Sequence, residues 1–375
     1  MSDFTSALYL GGPELPVGLP AGLLLSTGQP VALAEPELSR WVGQEVARRQ
    51  GLEAGLLAPS SLHLFWDVFR LVPRRGVVFV DEALYPVGRW GAERTLLRGL
   101  PVVQFRTGDE DQLRRLLHVY GQQGRTPWLV TDGWLVAAGR PAPLTRYLKL
   151  LQPYPGAVLL VDDTQAFGVL GAGPTTVQPW GQGGGGSVAH AGLSGPQVLT
   201  ITSLAKGLGV PVAVLAGSGA QVTQFRQRSE TRVHTSPASN VHAWLAAQAL
   251  CQDATQGEVQ RQRLLNNVRQ FQRAMTRAGL RLQGGLFPIQ KLQLPHARAA
   301  FDLYRGLQQR GIQTLLLANP ARPTVPDVAF CLRADHTAAQ LRYAGRCLRE
   351  TLGSPSAASS SVSFHLFCHE HYANR

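Results

Sequence analysis

Val198-Leu-Thr-Ile-Thr-Ser-Leu-Ala-Lys-Gly-Leu-Gly209 decides how the chain is read. Its first half is apolar and β-branched, and its second half turns through small residues and glycines. That pattern predicts a buried strand ending in a loop that presents Lys206. Lys206 is one of three lysines, with Lys149 and Lys291, among 36 basic residues, so the other 33 (36 minus 3) are arginine. Arginine stays protonated and is a poor nucleophile. A desolvated lysine amine loses its proton and attacks carbonyls to form a Schiff base.

Moving outward, the same rhythm recurs. Val77-Val-Phe-Val-Asp81, Val102-Val-Gln-Phe105, Trp128-Leu-Val-Thr-Asp132, Ala157-Val-Leu-Leu-Val-Asp162 and Val212-Ala-Val-Leu-Ala216 are short apolar runs. Amphipathic helical patterns over 110–120 and 143–151 separate some of them, and a third, over 36–50, precedes them. Near-continuously apolar strands alternating with helices predict an α/β fold with a mostly parallel central sheet covered on both faces. In such sheets functional residues gather at the C-terminal ends of strands. Asp81, Asp132, Asp162 and Ser203 sit at such ends, and Lys206 lies just beyond one.

The flanks are less regular. Tyr9-Leu-Gly-Gly12 suggests a short strand and turn, and Gly181–Gly195, with four consecutive glycines, a flexible loop. Residues 239–279 predict one long helical region with a break near Asp253, and 285–352 a smaller α+β unit. The expected division is an N-terminal arm and part of a small domain (1–55), a large domain (56–245), a C-terminal small domain (246–353), and a Ser/Ala linker and tail (354–375).

Composition narrows the function. Across 375 residues, 44% hydrophobic and 16% charged content suits a large buried core. The sequence has no membrane-spanning apolar run and no signal-peptide pattern at Met1–Leu8, and Cys251, Cys331, Cys347 and Cys368 show no CxxC spacing. A reduced, cytoplasmic protein is expected. The net charge of +12 raises nucleic-acid binding, but the arginines are dispersed and no basic run interleaves with aromatics. The charge better suits an anionic substrate such as a phosphate ester or a coenzyme A thioester. His365, Cys368, His369 and His371 crowd the tail, yet no second ligand pair follows at finger spacing, so no metal is expected.

Val161-Asp-Asp-Thr-Gln-Ala-Phe-Gly168 closes the fourth strand and directs a carboxylate toward the crevice that holds Lys206. A pyridine-aldehyde cofactor needs this pairing. A lysine holds the aldehyde, and a carboxylate keeps the ring nitrogen protonated so that the ring accepts electrons from a carbanion. A phosphate handle needs backbone N–H groups and hydroxyls at a helix start. Pro59-Ser60-Ser61-Leu62 offers these, as do Ser203 and Thr235-Ser236.

Together these stretches resemble the α-oxoamine synthase family of fold-type I pyridoxal-phosphate enzymes, across residues 30–350. Val161–Gly171 is similar to the family's V-D-E-A-H-S-x-G-V-L-G, and Ser203–Gly209 to T-L-S-K-A-L-G. Val130-Thr-Asp-Gly133 with Pro141-Ala-Pro-Leu144 looks like T-E-G-x-x-S-M-x-G-x-x-A-P-L. Pro323-Thr-Val-Pro326 and Ala334-Asp-His-Thr337 resemble P-T-V-P and A-x-H-T. The resemblance implies pyridoxal 5'-phosphate as cofactor, Lys206 as the Schiff-base lysine and Asp162 as the partner of the ring nitrogen. It places Tyr85 over the ring and Gln165 beside it. It implies Ser60, Ser61, Leu62, Asp132, Ser203 and Thr235 at the cofactor, Thr235 from the partner subunit of a homodimer. The implied reaction condenses an amino acid with an acyl thioester into an aminoketone.

The departures from the family pattern bear on that reaction. Gln165 and Tyr85 stand where the family has histidines, Val136 where it has serine, and Ser61 where it has glycine. The stretch that supplies an arginine for the amino-acid carboxylate falls on Asp327–Ala329, which has none, and Arg322 and Arg333 are out of register. The alternatives are therefore an aminotransferase acting on an amine or amino-acid substrate, or a degenerate homologue that binds cofactor or serves as a scaffold.

Overall fold

Seven strands form the central sheet of the computed structural model, which describes residues 1–12, 18, 20–23, 25–319 and 321–353. They are β1 (Ala54–Ala58), β2 (Gly76–Asp81), β3 (Val102–Phe105), β4 (Thr126–Asp132), β5 (Val158–Asp162), β6 (Val198–Ser203) and β7 (Ala213–Gly217), in the spatial order β1-β7-β6-β5-β4-β2-β3. The five strands from β6 to β3 run parallel, and β7 is antiparallel to both of its neighbours. Helices cover both faces, so alternate side chains of one strand enter two cores. Phe79, Leu129, Leu159, Val161 and Val198 pack with α1 (Glu37–Gln50), α4 (Glu110–Gln122) and α5 (Leu144–Leu151). Val78, Val80, Val130, Leu160 and Ile201 pack with α2 (Ser61–Val68) and α7 (Gly219–Arg228). Burial on both faces is why these strands read as unbroken apolar runs.

By contacts the chain divides into two units. The larger comprises Gly12–Leu135 and Pro141–Val259. The smaller comprises Met1–Gly11, Val136–Arg140 and the residues from Gln260 on. Set beside the expected boundaries at 55/56 and 245/246, this division places α1 and β1 with the large sheet and puts the later junction at 259/260. The smaller unit holds a four-stranded antiparallel sheet of β8 (Leu282–Gln283), β9 (Ile289–Leu292), β10 (Leu315–Leu317) and β11 (Asp327–Cys331), in the order β8-β9-β11-β10. It also holds α10 (Ala297–Gln309) and α11 (Ala338–Gly353).

Three expectations are corrected. The Tyr9 stretch is a turn, and the N-terminal strand is Ser2–Asp3, paired in parallel with Ile312–Gln313. The helix Asn240–Arg277 (α9) runs unbroken through Asp253, whose carboxylate pairs with Arg49. The glycine-rich insert is packed structure rather than a flexible loop. It contains helix α6 (Gly186–His190), bridges to Phe167 and Ala172, and the Gly183 amide donates to Glu258. Its glycines serve close approach: a Cβ on Gly185 would overlap the Arg49 carbonyl, and one on Gly186 the Asp163 carboxyl. The His/Cys cluster of the tail lies outside the described residues.

β1 docks on α1 through a glycine pair, Gly55 against Gly43, where a Cβ on Gly55 would overlap the Gly43 carbonyl. Gly55→Ala is therefore expected to lower stability by about 1–3 kcal/mol through overpacking. A fall in the urea midpoint at constant slope checks it.

Candidate active site

Strand periodicity sorts four buried carboxyls into a front pair and a rear pair. β4 and β5 set Asp132 beside Asp162 in register, on the face that also buries Val130 and Leu160 under α2. Asp81 and Asp163 follow the opposite alternation. Asp81 accepts hydrogen bonds from the Thr107 hydroxyl, the Thr131 hydroxyl (3.1 Å) and the Ala83 amide (3.0 Å). Asp163 accepts from the Ser187 amide (2.9 Å), the Ser187 hydroxyl and Gln50 Nε2 (3.3 Å), sealed in by Gly133 and Gly186. Burial dominates its acidity and pushes it up to about 7, against the pull of those hydrogen bonds.

The turn after β6 delivers Lys206 to the front pair. Gly207 lies directly on the Phe167 carbonyl, leaving no room for a Cβ, and Gly168 takes φ +83° where the two segments meet. Thr164 ties the segments together. Its hydroxyl accepts from the Ser203 amide (3.0 Å), and its own amide donates to Asp162 Oδ1 (3.0 Å). The Ser203 hydroxyl accepts from the Ala205 amide (3.3 Å), which shapes the turn. Lys206 Nζ lies 5.9 Å from the centroid of the Tyr85 ring. Tyr85 precedes α3 (Pro86–Glu93), is 55% exposed, and donates its amide to Asp132 Oδ1 (3.3 Å). Burial raises both front carboxyls, Asp132 well above its ordinary value with Asp162 adding to the rise, while the Lys206 charge pulls each back.

The remaining expected residues lie on other elements. Ser60 is the extended residue before α2, and its side chain makes no capping hydrogen bond, pairing instead with His63 Nδ1 at 2.8 Å. Ser60 thus leaves the first-turn N–H groups near Ser61 and Leu62 uncapped, as an anion-binding helix start requires. α2 packs on β6 and β7, the strands flanking the Lys206 turn. Gln165 is half-buried in the turn after Asp162. Thr235 ends α8 (Thr231–His234) and donates its hydroxyl to the Thr231 carbonyl (2.6 Å), so within this chain it is engaged with its own helix. In the smaller unit, Asp327 is fully buried between Lys291 (3.5 Å), Arg322 (3.0 Å) and Asn319 (3.1 Å), and Arg333 pairs with Asp3 and Asp335. The residues that sequence reasoning missed are Thr164, Asp163, Gln50 and Ser187. Only Thr164 carried a signal, as a hydroxyl two residues past a strand-end aspartate.

An amine, an aromatic face, two buried carboxyls and an uncapped helix start with hydroxyls make a donor set that fits pyridoxal phosphate. Among the described residues no cluster suits a metal ion, and no helix is long and apolar enough to cross a membrane.

Comparison with known proteins agrees. No family model matches the chain. 8-Amino-7-oxononanoate synthase of Alkalilimnicola ehrlichii is 30% identical over 324 residues, 85% of this chain and 76% of the relative. Among solved structures, serine palmitoyltransferase of Sphingomonas wittichii aligns with a TM-score of 0.78 at 17% identity, over 93% of this chain and 86% of the other. That of 8-amino-7-oxononanoate synthase from Francisella tularensis aligns at 0.71 and 19%, over 94% and 97%. The architecture is that of the fold-type I enzymes, and the chain belongs to the α-oxoamine synthase family. The family member that shows this by sequence is an 8-amino-7-oxononanoate synthase.

The rear carboxyl gives a pH test. Between the ordinary carboxylate range and about 7, folded Asp163 keeps a proton that the unfolded chain has released. Its contribution to stability is full at low pH and is lost as pH rises through about 7. Asp163→Asn removes that dependence. The melting temperature of the variant minus that of the wild type should rise between pH 5 and 8, by several degrees, and a flat difference would contradict the assignment.

Proposed function

We propose that this chain is a pyridoxal-phosphate-dependent transferase. It joins an acyl thioester to an amino acid, releasing carbon dioxide and the free thiol and leaving an aminoketone. The carrying observation is Lys206, held over the Tyr85 ring beside the Asp132/Asp162 pair. Bound cofactor supplies an electron sink for a carbanion at the amino-acid α-carbon. Lys206 anchors the cofactor and moves the α-carbon proton. Asp162 holds the proton of the ring nitrogen, with Thr164 supporting its carboxylate. Tyr85 stacks on the ring and Gln165 donates a hydrogen bond to it, while the α2 start with Ser60 and Ser61 takes the phosphate, joined by Ser203 and by Thr235 from a second copy. The stretch that carries the family's carboxylate-binding arginine falls on Asp327–Ala329, which has none, and Asp327 is paired with Lys291, so the amino-acid carboxylate is recognised without that clamp.

The test is spectroscopic. Wild-type protein given pyridoxal phosphate should show a visible absorption band that Lys206→Ala lacks, together with a loss of turnover of about 10³-fold or more. Carbon dioxide release on adding an amino acid and an acyl thioester supports condensation. A spectral shift with no carbon dioxide released would overturn it in favour of transamination.

We place the protein in the cytoplasm as a homodimer. Cys251, Cys331 and Cys347 are not joined in disulfides, which supports a reducing compartment. For the dimer, α2 and α3 pack together and expose Leu62, Trp66 and Trp90, an apolar face of the kind that marks a subunit contact. Sedimentation should give twice the chain mass, and Trp66→Glu should shift the species toward monomer.

A further inference from the structure

The site brings together more carboxyls than one lysine can neutralise. Asp132 and Asp162 are neighbours across β4 and β5, 8% and 7% exposed, on the same face of the sheet. The surrounding groups treat them differently. Asp162 receives the Thr164 amide and lies in the segment tied by Thr164 to the Lys206 turn. Asp132 has the Tyr85 amide at 3.3 Å, with Asp162 on one side and Asp81 on the strand beyond, both adding negative potential. Asp163 is next in sequence to Asp162 but faces the rear. Two carboxylates side by side out of water cannot both ionise when a single ammonium faces them. The proton stays with the carboxyl whose amide donor is the more distant and which has a carboxyl on either side.

We infer that Asp132 is a neutral carboxylic acid that positions Tyr85, leaving the negative charge of the front pair on Asp162. Its carbonyl oxygen accepts the Tyr85 amide at the start of α3 and so sets where the aromatic ring stands relative to Lys206. A neutral acid does this without competing with Asp162 for a cationic ring nitrogen. Asp132 is thus a positioning residue rather than a catalytic one, a role that the resemblance of Val130–Gly133 to the family motif did not specify.

The inference rests on the cofactor reading above, and the experiment separates the two. The affinity of the full-length protein for pyridoxal phosphate is measured by tryptophan fluorescence quenching for wild type, Asp132→Asn, Asp132→Ala and Asp162→Asn. Infrared spectra of the same proteins without cofactor are recorded at pH 8. Asparagine copies a neutral acid and still accepts the Tyr85 amide, so Asp132→Asn should bind within about threefold of wild type. Asp132→Ala loses the acceptor and should weaken binding about tenfold, with an altered visible circular dichroism of the bound cofactor. Asp162→Asn loses the charge and should weaken binding about 10–100-fold. The protonated-carboxyl infrared band of the wild type should be diminished in both Asp132 variants. Equal losses in Asp132→Asn and Asp162→Asn, or no infrared change in Asp132→Asn, would overturn the neutral acid. An Asp132→Ala protein with wild-type affinity and dichroism would overturn the positioning role. If wild type binds no pyridoxal phosphate, the cofactor reading fails, while the infrared band still decides the state of Asp132.

Discussion

Four carboxyl groups lie out of water at the ends of three adjacent strands, with one lysine ammonium opposite two of them. Burying that much potential charge is costly unless each group is hydrogen-bonded, paired or protonated. The fold uses all three remedies. The rear pair, Asp81 and Asp163, is held by the hydroxyls of Thr107, Thr131 and Ser187, by backbone amides and by Gln50. The front pair, Asp132 and Asp162, has fewer protein donors and faces Lys206. A site short of donors is suited to receive a cationic ring nitrogen.

Backbone contact keeps this arrangement in place. Lys206 reaches the carboxyls because Gly207 lies against the Phe167 carbonyl, which brings the turn after β6 onto the segment after β5. Asp163 stays sealed because Gly133 and Gly186 leave room for its oxygens and nothing more. The glycine-rich insert is thereby part of the rear wall of the site. Its glycines are places where two backbones, or a backbone and a carboxyl, meet too closely for a side chain.

The parallel strands were legible because burial on both faces demands continuous apolar residues, as in Val77–Asp81 and Ala157–Asp162. The edge strand Ala54–Ala58 was not, since Ala-Gly-Leu-Leu-Ala has the same character as a turn or a helix end. The insert misled for a related reason: a run of glycines looks alike whether it is mobile or tightly packed. At the site, Lys206 and Asp162 could be singled out by residue type and spacing, and Tyr85 only through the family resemblance. Thr164, Gln50 and Ser187 could not, because a hydroxyl or amide shows its use only when its partner is placed. Lys291 makes the same point. It is as rare a residue as Lys206 and nearly fully buried, yet it is matched with Asp327 in a structural ion pair. Scarcity alone does not separate the two lysines, whereas the groups that face them differ.

Lys206 is the residue proposed to hold the cofactor. Reduction of the pyridoxal-phosphate-loaded protein with borohydride, followed by proteolysis and mass spectrometry, tests it directly. The phosphopyridoxyl label should appear on the peptide containing Lys206 alone. Label on Lys149 or Lys291, or an unlabelled Lys206 in protein that has taken up the cofactor, would contradict it.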